Sequence, residues 1–543
     1  MVLFMEHNVI VNYFFDGNKI CNNTRLIKTE NGLITEIKDI DEDRADEIAT
    51  GKSSIDLRNK FVTPGLIDTH NHFMLTALKL EYQVDLADCM SFGDITSTIK
   101  GHMGNIIHGW LQAYGLNEYQ LREKVLPDRY ILDKIIKDVP LFITSFTEHY
   151  AVCNSKALKI AGIDESTENP QNGKIGRDEN GIPDGRLYES QAMDIVKRHI
   201  PEYGLDDYEN AIIKTAEKYL NSGLAVIKDT GGTGRDINEE VRIEAFNKLT
   251  INNKIRLRVI MALPVYNLQD VDKKIEMSTR IKESEYVKNG GFKLFLDGTI
   301  MSRTAWMKHN YKKQPYDLVE TSGMPLWDIN DFKEALYKLA STGKHISIHV
   351  IGTRAMSVAI EAIREIEKKG TEATFAFVHG YILTKQDKKE IDNLQELGIG
   401  LETQATDIYF IGYAIHNNLN EQDLEGVFPI RTLIKKGVLL SNGSDSPVTP
   451  FNPVFGLYSS IYRKIKNFSG KNYYDNGENI DFETSLKTYT SIASEVLCWS
   501  NIGNINPGCY ADFLVWNDDP LKLGEDINEW LSLKLNLLTS CTR

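Results

Sequence analysis

Thr63-Pro64-Gly65-Leu66-Ile67-Asp68-Thr69-His70-Asn71-His72 passes from a turn through a short apolar run into two histidines two positions apart. Residues two apart in a strand point to the same side, so His70 and His72 can present two imidazoles to one ion. A chance His-x-His on a surface loop has the same spelling, so the context must decide. Downstream, short apolar runs suited to buried parallel strands alternate with longer stretches of helical periodicity, the pattern of repeated βα units. After the opening run they are Leu141 to Ser145, Ala225 to Lys228, Phe292 to Leu296, His345 to Val350, Phe375 to Val378, Ile399 to Glu402 and Val438 to Asn442. Together they make eight strands, the number that closes a (β/α)8 barrel. Two intervals are too long for βα loops. Residues of about 80 to 138 read as a helical insertion covering the site, and about 155 to 205 as a second, turn-rich one.

Other ligand-type residues fall at or just after the carboxyl ends of these runs, where barrel enzymes build their sites. His349 ends His345-Ile346-Ser347-Ile348-His349, His379 ends Phe375-Ala376-Phe377-Val378-His379, and Asp445 follows Leu439 to Ser444. Any one of these histidines, taken singly, is more often a hydrogen-bonded core residue than a ligand. Their coincidence with a His-x-His favours a metal centre. Lys293, inside Phe292-Lys293-Leu294-Phe295-Leu296-Asp297-Gly298, is costly to bury as a free ammonium and needs neutralising or pairing.

Outside the barrel, the first sixty residues hold short β-like runs punctuated by Asp-Gly and Asn-Gly turns, and Gly508 to Trp516 leads into one more strand. The expected organisation is residues 1–61 and 496–543 as two parts of one β-sandwich lobe around a barrel of 62–495. Leu531 to Arg543 shows no closing turn and strand. The formal charge of −14, without a clustered basic surface, argues against nucleic acid as a partner. No run is apolar and long enough to span a bilayer. The amino terminus shows no cationic leader, and the expected compartment is the cytoplasm. Six scattered cysteines without CxxC spacing give neither a thiolate zinc site nor a disulfide framework.

The segments Val62 to His72 and Phe292 to Gly298, with His349, His379 and Gly443 to Pro447, resemble the amidohydrolase superfamily, most closely its third family of YtcJ-like enzymes, which includes N-substituted formamide deformylase. His149 to Leu158, Gly185 to Glu189 and Pro507 to Asp512 carry the likeness along nearly the whole chain. The resemblance implies a TIM barrel with a composite β-sandwich from both termini, and metal held by His70, His72, His349, His379 and Asp445. It also implies a CO2-derived carboxylation of Lys293, bridging two ions; a mononuclear site with Lys293 in a salt bridge stays open. Thr353 after Gly352, and Val378 before His379, depart from the family's pattern and bear on ligand support.

The chemistry that suits this set is attack of a metal-activated water on a carbonyl, with Asp445 as proton shuttle and His149 as hydrogen-bond donor to the carbonyl or oxyanion. Trp110, Asp297, Arg303 and Gln404 are candidates for the pocket wall. The expected activity is hydrolysis of a non-peptide C–N bond in a small-molecule amide, formamide or cyclic amide. An ester or lactone hydrolase is the nearest rival, and a barrel scaffold without catalysis is the reading from another class. Zinc is the first choice of divalent metal, one or two per chain, though iron, manganese, cobalt and nickel accept the same donors. A homodimer is the base-rate expectation.

Overall fold

A computed structural model describes residues 6–118, 120–145, 150–171, 173–232, 237–313, 320–384, 387–468, 472 and 474–539. The chain divides into two compact units, residues 1–74 with 216–543, and residues 75–215.

The first unit contains one eight-stranded parallel sheet: β1 (Leu66–Asn71), β2 (Leu224–Asp229), β3 (Arg258–Val265), β4 (Val287–Phe295), β5 (Ile346–Val350), β6 (Phe375–His379), β7 (Gly400–Thr403) and β8 (Leu440–Asn442), each paired with the next. Nearly every residue of these strands is buried, which is why they read as apolar runs without alternation. The intervening helices turn one apolar face to the sheet. In Thr353–Glu367 the buried positions Ala355, Met356, Ala359, Ile360, Ile363 and Ile366 recur at helical spacing. Between β8 and β1 the barrel closes without a regular ladder. Thr69 Oγ1 donates to Asn442 O (3.0 Å), Asp445 N to His70 O (2.8 Å) and His72 N to Ser446 O (2.9 Å). Gly443 permits this seam, because a Cβ there would lie 2.6 Å from His70 N and 2.9 Å from Asp68 Oδ1.

Two further sheets form the lobe built from both termini. One runs Leu33–Asp39, Arg25–Glu30, His7–Val11, Ser54–Asp56; the other runs Leu535–Leu538, Phe513–Trp516, Phe61–Pro64, Phe14–Phe15, Ile20–Cys21. They share one core, in which Val9, Val11, Ile27 and Ile34 meet Val62, Phe513 and Val515. Leu535–Leu538 pairs antiparallel with Phe513–Trp516, so the carboxyl end does supply a strand, although it lacks the glycine turn that would have announced one. Arg258 at the start of β3 binds Asp512 and stacks on Tyr510 (3.8 Å to the ring centroid), tying barrel to lobe.

The second unit carries a six-stranded sheet ordered Lys174–Arg177, Pro183–Tyr188, Tyr150–Cys153, Leu141–Ser145, Leu111–Leu116, Gln83–Asp85. Leu141 to Ser145, expected as the second barrel strand, belongs here, and the region from 80 to 138 is mixed α/β instead of helical. The missing barrel strand is β3, which begins at Arg258 and contains Pro264, both marks against a central strand. A buried apolar run looks alike in any sheet, and only pairing tells them apart. Because one strand leaves the count as another enters, β4 to β8 keep their expected places. Among the described residues no helix is long and apolar enough to cross a membrane.

Candidate metal centre

At the carboxyl ends of β1 and β8, the donor atoms of His70, His72 and Asp445 lie within 4.8 Å of one another, all buried. Asp445 Oδ1 stands 3.1 Å from His70 Nε2 and 3.3 Å from His72 Nε2. The His379 ring packs edge-on 5.5 Å from that of His70, and His349 lies 4.4 Å beyond it, centroid to centroid. The tight cluster therefore has three members, with the β5 and β6 histidines beside it.

Hydrogen bonds assign the tautomers, since a carbonyl oxygen only accepts. His72 Nδ1–H donates to Gly231 O (2.7 Å), His349 Nε2–H to Gly298 O (3.0 Å), and His379 Nδ1–H to the Gln404 side-chain oxygen (2.6 Å). Each ring keeps one lone pair free: Nε2 of His72, Nδ1 of His349, Nε2 of His379. In its neutral form His72 would turn that lone pair to a carboxylate oxygen at 3.3 Å, and a cation between them, or a proton on Nε2, relieves the meeting of two acceptors. The residues present thus fit a divalent ion.

Electrostatics agree. Burial, together with Lys293, pushes His70 down to about 3, and burial and Lys293 bring His349 to about 4. Burial also lowers His379 well below the ordinary range. For His72, burial is outweighed by Asp445, and its pKa rises. Asp445 is pushed up by burial but held well below the usual carboxylate range by His70 and His72. At neutral pH three of these imidazoles are neutral and the carboxylate is ionised, the protonation states a metal requires. Ring-labelled histidine NMR of metal-free protein is expected to show His70 and His349 neutral down to pH 5, with the pKa of His72 raised above the ordinary imidazole value by Asp445. Titration of His70 near 6.5 would contradict this geometry.

Lys293, on β4, is fully buried, and its Nζ has no hydrogen-bond partner among the described residues. Burial brings it down to about 7, against the pull of Glu402. Lys228 on β2 and Glu402 on β7 meet at 2.5 Å. Those strands are not neighbours, so the pair spans the barrel interior, with Ser347 Oγ donating to Glu402 Oε1 (3.0 Å).

Support for the histidines is dense. Asp68, pushed up to about 6 by burial, accepts from Ser444 Oγ (2.6 Å), Asn71 Nδ2 (2.8 Å), Ser444 N (3.0 Å) and His70 N (3.2 Å). It binds the His-x-His strand to the loop bearing Asp445. Its position two before His70 is the sequence signal that points to it. His379 and Asp445 both have left-handed backbone, φ 71° and 55°, which a non-glycine residue adopts at a cost and which recurs at functional sites.

The four expected wall residues are engaged by hydrogen bonds or packing. Gln404 is fully buried and orients His379, while its Nε2 donates to Glu402 O. Asp297, raised by burial to about 7, accepts from Trp306 N, Ile351 N and Gly352 N (2.9, 3.1 and 2.7 Å) and shapes the loops after β4 and β5. Arg303 Nη2 donates to Lys312 O (3.3 Å) and its guanidinium lies 5.7 Å from the Tyr311 centroid, bracing its own loop. Trp110, 4% exposed, packs in the apolar core of the second unit with Phe142 and Leu158. Residue type and proximity to a strand end suggested these four. His149 lies outside the described residues. It was placed by its position after Leu141–Ser145, which is not a barrel strand.

Fold and site together define a (β/α)8 barrel with a candidate metal centre at the carboxyl ends of its strands. The model of the Amidohydrolase family matches residues 54–529, and the chain belongs to that family. YtcJ of Bacillus subtilis (strain 168) is 26% identical over 475 residues, covering 86% of each chain. N-substituted formamide deformylase of Arthrobacter pascens is 24% identical over 484 residues, 86% of this chain and 85% of that one. Among solved structures, an uncharacterized metal-dependent hydrolase from Pyrococcus furiosus superposes with a TM-score of 0.75 at 22% identity, covering 95% of this chain and all of that one, which shows a shared fold.

Proposed function

We propose that this chain is a metal-dependent hydrolase that cleaves a non-peptide C–N bond, in an amide, formamide or cyclic amide, of a small molecule. The observation that carries the reading is the buried convergence of the His70, His72 and Asp445 donor atoms within 4.8 Å of one another. The formamide bond named for the Arthrobacter pascens relative supports the bond class. His70, His72, His349, His379 and Asp445 would hold the ion, zinc being the first choice for imidazole and carboxylate donors, with Lys293 a further ligand once neutral or carboxylated. A divalent ion in such a site lowers the pKa of water and polarises a carbonyl oxygen.

The chain's own residues supply the rest. Asp445, kept ionised by two imidazoles, takes the proton of the attacking water and passes it to the leaving nitrogen. Burial of the whole cluster excludes bulk water and strengthens each of these interactions. An ester or lactone would meet the same groups, because none of them selects the leaving atom.

The test is a mass-spectrometric comparison of a metabolite extract incubated with metal-loaded wild type and with Asp445→Asn. A compound consumed by wild type alone and replaced by its amine and acid fragments identifies the bond. A wild-type-specific pair of alcohol and acid moves the reading to ester hydrolysis, and metal-free protein after loading moves it to a scaffold. Gln404→Ala, which removes the acceptor that orients His379, is expected to weaken metal affinity by roughly 10–100-fold in chelator competition. Unchanged affinity would remove His379 from the ligand set.

A further inference from the structure

Most buried acids around the barrel are occupied. Asp229 pairs with Arg242 (2.7 Å), Asp297 holds three amides, Asp387 binds Lys308 (2.7 Å), Asp423 binds His309 (2.9 Å) and Asp445 faces two imidazoles. Asp407 is different. It is 3% exposed, its Oδ1 is buried without a hydrogen-bond partner, and no ion pair reaches it among the described residues. It stands in the short helix Thr406–Phe410 that follows β7, at the carboxyl end of the barrel. That helix is tied to the centre on two sides: Ala405 N donates to Asn442 Oδ1 at the end of β8 (3.0 Å), and Thr449 Oγ1 donates to Thr406 Oγ1 (3.0 Å) from the loop that carries Asp445.

Asp407 is close enough to Asp445 that the two charges act on each other, and burial with that repulsion holds its carboxyl well above the usual range. Its charge also reaches Tyr381, whose ring stacks on Phe428 (4.5 Å between centroids) and lies 6.2 Å from that of His379. The carboxyl thus stands on an element bonded to the end of β8 and to the loop of Asp445, and no hydrogen bond among the described residues engages its Oδ1. A buried carboxyl without a donor costs stability, and such costs persist where a ligand supplies what the protein does not. A cation brought to a buried carboxyl that acts on a second one is favoured there, and an anion is repelled.

We propose that Asp407 is a specificity residue that receives a cationic nitrogen, an ammonium or guanidinium set apart from the scissile bond of the substrate. The inference rests on the hydrolase reading for the identity of that bond, but its test reads binding. The probes are mono-N-formyl α,ω-diamines with two to five methylenes. Each is paired with a neutral N-formylalkylamine in which methyl replaces the ammonium, and with an analogue ending in a carboxamide. Calorimetry on metal-loaded protein is expected to show at least one ammonium probe binding 10-fold or more tighter than both partners of its length. In Asp407→Asn that preference falls to within 2-fold, and the melting midpoint of the unliganded protein does not drop.

No preference for the ammonium at any length overturns the proposal, as does a preference that survives in Asp407→Asn, or a carboxamide probe that binds as tightly as the ammonium. A lowered melting midpoint in both Asp407→Asn and Asp407→Leu would assign the carboxyl to the fold and overturn it too. Formate release, measured on the same probes, reports separately on the hydrolase reading. Cation preference without formate release leaves Asp407 in place and removes the formamide bond; formate release without preference does the reverse.

Discussion

Asp445→Asn is expected to lower kcat/KM by at least about 10³-fold on any amide the wild type cleaves, with the melting midpoint of metal-free protein within a few degrees of wild type. The size follows from two functions resting on one side chain. The carboxylate lies 3.1 and 3.3 Å from the imidazoles of His70 and His72, where in the proposed reading it completes the donor set and is the base that moves the proton, an effect of about 10²–10⁴ by itself. A carboxamide keeps the shape but accepts no proton, and it brings an N–H toward lone pairs that should face an ion. The fold is spared, because the backbone bond Asp445 N to His70 O and the Asp68–Ser444 contacts do not involve the Asp445 side chain. Elemental analysis alongside the kinetics separates the two functions. Retention of a tenth or more of the activity at full metal occupancy would remove Asp445 from proton transfer.

Gly443→Ala is the second large effect, and it tests the barrel seam instead of a ligand. The added Cβ would lie 2.6 Å from His70 N, 2.9 Å from His70 O and 2.9 Å from Asp68 Oδ1, so the β8 end must move away from β1. Overpacking of this kind costs roughly 1–3 kcal/mol. Weakening the bonds Ser444 N to Asp68 and Asp445 N to His70 O adds about 1 kcal/mol each. Moving Asp445 relative to His70 by even 1 Å is expected to cost about 10²-fold or more in activity, with loss of bound metal. Gly101→Ala, where nothing lies within 4 Å of the new methyl, is the matched control and should leave both properties unchanged. A Gly443→Ala protein that binds metal and melts like wild type would show that the seam tolerates separation.

How much of this was legible in advance differed from residue to residue. His70, His72 and Asp445 could be named because each ends an apolar run, and a polar group at that point has few reasons to be there except chemistry. Leu141–Ser145 and Arg258–Val265 were exchanged because burial erases the alternation that would distinguish sheets. Gln404 and Asp297 were recognised as positions near the site, but their direction was not, since a side chain that faces a substrate and one that orients a histidine are spelled alike. Asp407, in an unremarkable Gln-Ala-Thr-Asp, gave no signal at all. Its interest arises from the donors it lacks.

Local order alone determined the repeated strand and helix pattern, the amphipathic helices, and which residues end the strands, because those follow from periodicity and burial preference within a dozen residues. Tertiary structure alone decided which runs pair into the barrel, the 2.5 Å contact of Lys228 with Glu402 across its interior, the ring nitrogens engaged by Gly231, Gly298 and Gln404, and the Asp407 Oδ1 left without a partner among the described residues. Each of these depends on atoms brought together from distant parts of the chain, and a hydrogen bond, or the want of one, exists only once both sides are in place.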